Sequence, residues 1–224
     1  ESNKRAAFDV VLQAETGFMS MNGTPESGPV KMPIALIDVL AAHQLKEGLL
    51  LALLKKEKTG RGSKVEVSLY DAALASLKNQ ATNWLMNNHI PQPIGSLHPN
   101  IAPYGETFTT KDNKKVVLAI GSDKQFVKLL EIIGAQELIK NPLYKSNQLR
   151  VQNRTQLDKD LSTYFIQFNR DELMNKFIKI NIPVGSLNNM KEVFKNDNAK
   201  ALVLEEEIDG VKTKRVKTAI FKIS

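Results

Sequence analysis

A mixed α/β fold is predicted by three features of the chain. A long run with helical periodicity extends from Asp38 to Lys56. An alternating segment at 64–69 passes straight into another helical run, and a proline-rich break at 87–104 is followed by hairpin signals and further helical runs.

The elements follow in order. Val10, Val11, Ala14, Phe18 and Met21 recur at three-to-four spacing, which predicts a short helix within 6–21 that stops near Gly17 or Gly23. Residues 22–33 (NGTPESGPVKMP) hold two glycines and three prolines and read as a connecting loop. "MPIALI" is either an extended lead-in or a first helical turn with Pro33 at its first position. The helix that follows has Leu40, Leu45, Leu49, Ala52 and Leu53 in phase, lysines 55, 56 and 58 at its C-terminal end, and Gly60 as a stop. In "KVEVSLYDAAL", Val65, Val67 and Leu69 alternate with polar residues as in a half-buried strand, and Asp71 is placed as the cap of a long helix reaching Asn87.

Four prolines and a glycine at 87–104 rule out a long regular element there. Beyond it, "GETFTTKDNKKVVLAIG" predicts a hairpin turning at Lys111–Lys114, and Asp123–Ile133 a helix ended by Gly134. Residues 142–180 read as two or three helical pieces with Asp171 as a cap, and an Asp209-Gly210 turn predicts a closing hairpin. The expected organisation is 1–86 as one domain part, 87–104 as linker loop, 105–185 as a small α+β domain and 186–224 as a return segment.

Composition narrows the function. No cysteine is present, which excludes thiol nucleophiles and cysteine metal sites, and the three histidines (His43, His89, His98) lack ligand spacing, so no metal is expected. The most apolar stretch, 33–54, is interrupted by Asp38, His43, Lys46 and Glu47, and no membrane association is expected. A net charge of +7 raises the question of nucleic acid, but the basic residues are spread out. The runs at Lys55–Lys64 and Lys212–Lys217 read as solvated faces, and aromatic-basic interleaving is missing, so no nucleic-acid partner is expected. "KTGRGSK" lacks the spacing of a phosphate loop, no serine sits in a Gly-x-Ser-x-Gly elbow, and Glu205–Glu207 read as a solvated face.

Asp38 stands out instead. It is the one carboxylate in "PIALIDVLAA", with small or apolar helical neighbours Ala35, Ala41, Ala42 and Leu45, and an unpaired buried charge there would cost several kcal/mol. Two explanations fit: a helix N-cap worth about 1 kcal/mol, or a nucleophile whose ionised form is favoured by backbone N–H groups at a helix start.

The segments "AFDVVLQAETGFMSMNG", "PIALIDVLAAHQLKEGLLLALLKKEKTGRGSKVEVSLYDAAL" and "HPNIAPYGETFTTKDNKKVVLAIGSDKQFVKLLEIIG", with "LYKSNQLRVQNRTQL" and "IPVGSLNNMKEVF", resemble in order the class III CoA-transferase family. This family, of the L-carnitine dehydratase/bile acid-inducible protein F type, includes carnitine CoA-transferases, formyl-CoA transferase and alpha-methylacyl-CoA racemase. The likeness is greatest to its succinyl-CoA:glutarate CoA-transferase-like members. It covers nearly the whole chain, and "TGRGSKVEVSLYDA" is among its more specific elements.

The resemblance implies part of a Rossmann-like large domain joined by long linkers to a smaller α+β domain, in an interlocked-ring homodimer. It implies transfer of CoA from an acyl-CoA thioester to a carboxylic acid, with coenzyme A esters as substrates and Asp38 as the catalytic carboxylate. Phe8 falls where racemases of the family carry a proton-transferring histidine. A phenyl ring cannot do that work, so an isomerase is disfavoured, with core packing the alternative role for Phe8. Asp9 and Leu12 join it as CoA-contact candidates by proximity, and Tyr70 by its place after the signature segment. His98, in "GSLHPNIAPY", is a substrate contact or a hydrogen-bonded loop histidine; this segment departs from the glycine-rich lid of formyl-CoA transferase. The resemblance further implies a portion before Glu1 and a segment after Ser224, so that the piece read here would not turn over alone. A cytoplasmic location is expected, with a mitochondrial one left open by the unseen N-terminus.

Overall fold

A computed structural model describes residues 6–223. The chain divides into two compact units, 1–97 and 98–224. It is a mixed helix-and-strand fold in which every strand pair among the described residues is antiparallel. No helix among them is long and apolar enough to cross a membrane.

In the first unit, α1 (Asp9–Glu15) and α2 (Phe18–Met21) are separated by Gly17, whose φ of +89° takes the left-handed conformation that only glycine adopts without cost. The loop at 22–33 contains a two-residue ladder, β1 (Gly23–Thr24) against β2 (Gly28–Pro29). Then comes α3 (Leu36–Thr59), which begins three residues after Pro33, so Pro33 is not its first residue. Gly60 ends it as expected, with φ +70° and its N–H on the Lys56 carbonyl at 2.8 Å. Leu12, Ile37 and Ala73 form a small core, flanked by Phe18, Leu40 and Leu69.

Two expectations fail in this unit. The alternation at 64–69 is present in the burial of Val65 and Val67, but no strand forms because no partner pairs with it among the described residues. The segment packs on α3 instead, where Gly48 admits Val65: a Cβ at Gly48 would lie 2.7 Å from Val65 Cγ1. The long helix after it is two, α4 (Leu69–Ala75) and α5 (Asn79–Asn87), interrupted at Lys78 with φ +49° and ψ −122°. Its cap is Ser68, whose hydroxyl accepts the Asp71 N–H at 3.2 Å, so Asp71 lies in the first turn and is not the cap.

The second unit is built on a sheet of order β3-β4-β5, from β3 (Tyr104–Thr109), β4 (Lys115–Ala119) and β5 (Val184–Ser186). Packed with it are α6 (Asp123–Ile133), two 3₁₀ turns at 136–140 and 142–144, α7 (Asn147–Gln152), α8 (Arg154–Phe165) and α9 (Arg170–Lys179). Its core joins Phe108, Val116, Leu118 and Ile120 of the sheet region to Leu129, Leu157, Leu161, Phe165 and Phe177 of the helices. The Phe108 and Phe165 rings stack at 4.4 Å. The β3–β4 turn and the bounds of α6 agree with the sequence reading, and Ser122 caps α6. Asp171 does not cap α9. That N-terminus is served by Asp112 from the β3–β4 turn, whose Oδ1 accepts the Arg170 N–H at 3.0 Å. The Thr110 hydroxyl bonded to the same carboxylate is the largest cause of its pKa of about 2. Short helices α10 (Met190–Val193) and α11 (Asp197–Lys200) lead to the expected final hairpin, β6 (Val203–Ile208) and β7 (Val211–Val216), which turns on Asp209 and Gly210, both at positive φ.

Candidate active site

Asp38 sits in the first turn of α3, exposed, and its carboxylate has no hydrogen bond or ion pair among the described residues. It is therefore not a cap. The capping is done by Asp9, whose Oδ2 accepts the Ile37 N–H at 2.6 Å from 28 residues away. The buried Gln13 donates to the other oxygen of Asp9 at 2.5 Å and accepts the Met32 N–H at 2.8 Å, which fixes the lead-in to the helix. With Ile37 buried and tied down, the neighbouring Asp38 projects from a rigid turn near the positive end of the α3 dipole.

The Asp9–Ile37 bond also decides where the other candidates lie. Phe8 is the residue before α1, 69% exposed, and the bond brings its neighbour Asp9 to the neighbour of Asp38. Its exposure does not fit core packing. Leu12 is 4% exposed and belongs to the core, and both Asp9 oxygens are occupied by the helix start and Gln13. Leu12 thus packs in the core and Asp9 holds the start of α3, so both support the turn that carries Asp38. Tyr70 lies half-exposed in the first turn of α4, which packs on α3.

His98 belongs to the other unit. Its Nδ1 accepts the Asn100 N–H at 3.1 Å, its backbone N–H donates to the Tyr104 carbonyl at 2.9 Å, and its ring meets that of Tyr104 edge-on at 5.3 Å. The segment it opens is held by three side chains the sequence reading did not single out. Asn147 accepts the Ala102 N–H at 3.1 Å and donates to the Asn100 carbonyl at 2.7 Å. Arg150, 1% exposed, donates to the carbonyls of Ala102 and Tyr144 and to Asp123, with its guanidinium over the Phe126 ring. Arg154 donates to the carbonyls of His98 at 2.6 Å and Ile101 at 2.7 Å, and pairs with the buried Glu106 at 3.3 Å. Burial pushes the Glu106 carboxyl above its ordinary range against the pull of Arg154, and burial also raises Asp158. Asn147 and Arg150 belong to α7 and Arg154 opens α8, so no single helical period in the sequence links the three.

Among the described residues no cluster of histidine and carboxylate side chains could hold a metal ion. The first unit thus presents an exposed carboxylate on a fixed helix turn.

The chain belongs to CoA-transferase family III, whose family model matches residues 1–224. Among curated proteins it is 30% identical over 218 residues to the succinate–glutarate CoA-transferase of Agrobacterium fabrum, covering 96% of this chain and 54% of that protein. It is 33% identical over 211 residues to the succinyl-CoA:glutarate CoA-transferase of Homo sapiens, covering 92% of this chain and 47% of that one. The solved structure of a CaiB/BaiF family protein from Brucella suis matches with a TM-score of 0.83 at 32% identity, covering 98% of this chain and 57% of that one. The chain spans about half the length of the curated relatives it matches.

Proposed function

We propose that the protein of which this chain is part transfers CoA from an acyl-CoA to a carboxylic acid, with Asp38 as the covalent carrier. The observation that carries this reading is the uncommitted Asp38 carboxylate on a helix turn whose capping is already supplied by Asp9. A cap would have been the inert explanation, and that role is taken.

In the proposed sequence one Asp38 oxygen attacks the thioester carbonyl and expels CoA thiolate, leaving a mixed anhydride. The thiolate then attacks the Asp38 carbonyl carbon, releasing the donor's carboxylate and forming an aspartyl-CoA thioester. The incoming carboxylate attacks that thioester and expels CoA thiolate to give a second anhydride, and the thiolate attacks the anhydride's acyl carbon on the acceptor side, which expels the Asp38 carboxylate and yields the new acyl-CoA. No proton need move, because each nucleophile enters as an anion and each leaving group departs as one. The first-turn position places Asp38 where the helix dipole favours the carboxylate that both begins and ends the cycle. Dicarboxylic acids are the proposed substrate class, since the relatives named above are called succinate or succinyl-CoA:glutarate transferases. Phe8 gives no support to an isomerase, as it has no proton to exchange. Pairing of two copies is proposed as the working state.

The test uses the full-length protein incubated with succinyl-CoA and trapped with hydroxylamine, read by intact mass and peptide mapping. An adduct at Asp38, lost in Asp38→Ala together with more than 10³-fold of the transfer rate, is the expected result. Protein that binds CoA yet gives no adduct overturns the covalent role.

A further inference from the structure

We propose that Gln13 is the positioning residue of the Asp38 turn: it holds the Asp9 carboxylate on the start of α3 and so fixes where the Asp38 carboxylate stands. The proposal rests on the CoA-transfer reading and adds to it a residue that touches no substrate.

Gln13 is fully buried, and both ends of its amide are engaged. Nε2 donates to Asp9 Oδ1 at 2.5 Å and to the Ile34 carbonyl at 3.4 Å, while Oε1 accepts the Met32 N–H at 2.8 Å. Asp9 and Gln13 stand four residues apart on one face of α1, and the second Asp9 oxygen accepts the Ile37 N–H at 2.6 Å. One side chain thereby ties α1 to the lead-in at 32–34 and, through Asp9, to the first turn of α3. The relay has a single polarity. Met32 has only a proton to offer and the Asp9 carboxylate only accepts, so the group between them must be an amide with its oxygen towards Met32 and its nitrogen towards Asp9.

Capping alone would ask for less. Ala35, the residue before α3, gives the helix start no side-chain bond. A serine or aspartate there would serve as a local cap, but 35 lies three residues before 38, and its polar group would stand beside Asp38. A cap brought from 28 residues away leaves the small side chains of Ala35, Ala41 and Ala42 around Asp38 and its carboxylate uncommitted. Such a distant cap needs a brace, because a carboxylate held at one oxygen alone can swing off its N–H. Gln13 holds the other oxygen. For a nucleophile that must meet a thioester carbon, a misplacement of about 1 Å costs about 10²-fold in rate.

The experiment measures, in the full-length protein, the single-turnover rate of the hydroxylamine-trapped adduct from succinyl-CoA and, separately, CoA affinity by calorimetry, with folding followed by circular dichroism. Gln13→Glu keeps the size of the side chain and the acceptor for Met32 but sets a second carboxylate against Asp9. It should lower the adduct rate about 10²-fold and leave CoA affinity within about twofold. Asp9→Asn alone should also slow the adduct, because its amide then faces the Gln13 nitrogen. Combining Asp9→Asn with Gln13→Glu reverses the polarity of the pair: the amide donates to the carboxylate, the carboxylate still accepts the Met32 N–H, and the amide oxygen still accepts the Ile37 N–H. The double variant should recover the rate to within about tenfold of the wild type. Should Gln13→Glu fail to fold, Gln13→Met, of similar volume and without the amide, takes its place with the same loss expected. An unmoved adduct rate in the folded Gln13 variant overturns the positioning role. So does a rate that falls only in proportion to CoA affinity, which is what a merely structural glutamine would give. A double variant no faster than the slower single variant overturns the pairing with Asp9. Absence of any adduct in the wild type overturns the CoA-transfer reading and the role of Gln13 with it.

Discussion

Asp9 and Asp112 each cap a helix that starts far away in sequence, at Ile37 and at Arg170. Local rules look for the cap just before the helix, and for that reason Asp38 and Asp171 seemed to be caps when neither is. Freed from that role, Asp38 keeps an unspent carboxylate in the first turn of a long helix. Glu106 is the opposite case, a carboxyl that nothing in "YGETFT" marks as buried until β3 is paired and α8 packs over it. It is faced by Arg154 and Asp158 of α8, and burial outweighs the arginine. Its folded pKa lies above the ordinary 4.5, so the folded chain keeps a proton that the unfolded chain has released. Stability contributed by this group is therefore present below about pH 4.5 and is lost as pH rises through the folded value. Glu106→Gln should remove that slope: in thermal melts from pH 4 to 8, the wild type should lose ground relative to the variant as pH rises. Parallel curves across the range would show that Glu106 stays ionised throughout.

Helices and turns with local punctuation were legible, and those whose limits are set by tertiary contacts were not. α6 lies between Ser122 and Gly134, α3 ends at Gly60, and the final hairpin turns on Asp209-Gly210, each a residue whose backbone preference acts alone. The break between α4 and α5 has no such sign, because the sequence from Asp71 to Asn87 contains neither glycine nor proline. Nor did the alternation at Val65 and Val67 reveal that its backbone would go unpaired. The candidate site divides the same way: Asp38 and Phe8 were candidates from the family pattern, whereas the hydrogen bonds and ion pair of Asp9, Glu106 and Arg154 exist only in three dimensions. Lys78 offers a direct test of the helix break. Its φ of +49° with ψ of −122° is a conformation that a residue with a Cβ adopts at a cost of about 1 kcal/mol or more. Lys78→Gly should raise stability by about 1 kcal/mol in denaturant titration, the relief of strain exceeding the added freedom of the unfolded chain. A loss of stability would mean that the two helices merge into one in solution.

At the scale of the molecule, α3 presents a surface the first unit does not cover. Leu45, Leu49, Leu50, Leu51, Leu53 and Leu54 are 39–67% exposed and surround the helix on several sides, whereas a helix on the surface of a domain shows one apolar stripe. An uncovered patch of this kind marks a place where more protein packs. The curated relatives named above are about twice the length of this chain, and the pairing of copies proposed above would give this face a partner. Each leucine fully covered there contributes about 1.5–3 kcal/mol. Leu50→Lys with Leu54→Lys in the full-length protein should therefore cost several kcal/mol of stability or dissociate the assembly, read by thermal melting and by sedimentation equilibrium together. These charges lie at the far end of the helix from Asp38, so any fall in adduct formation should follow the loss of assembly as protein concentration is lowered. Unchanged melting and unchanged mass would place these leucines in water in the working protein and remove the case for a covered α3.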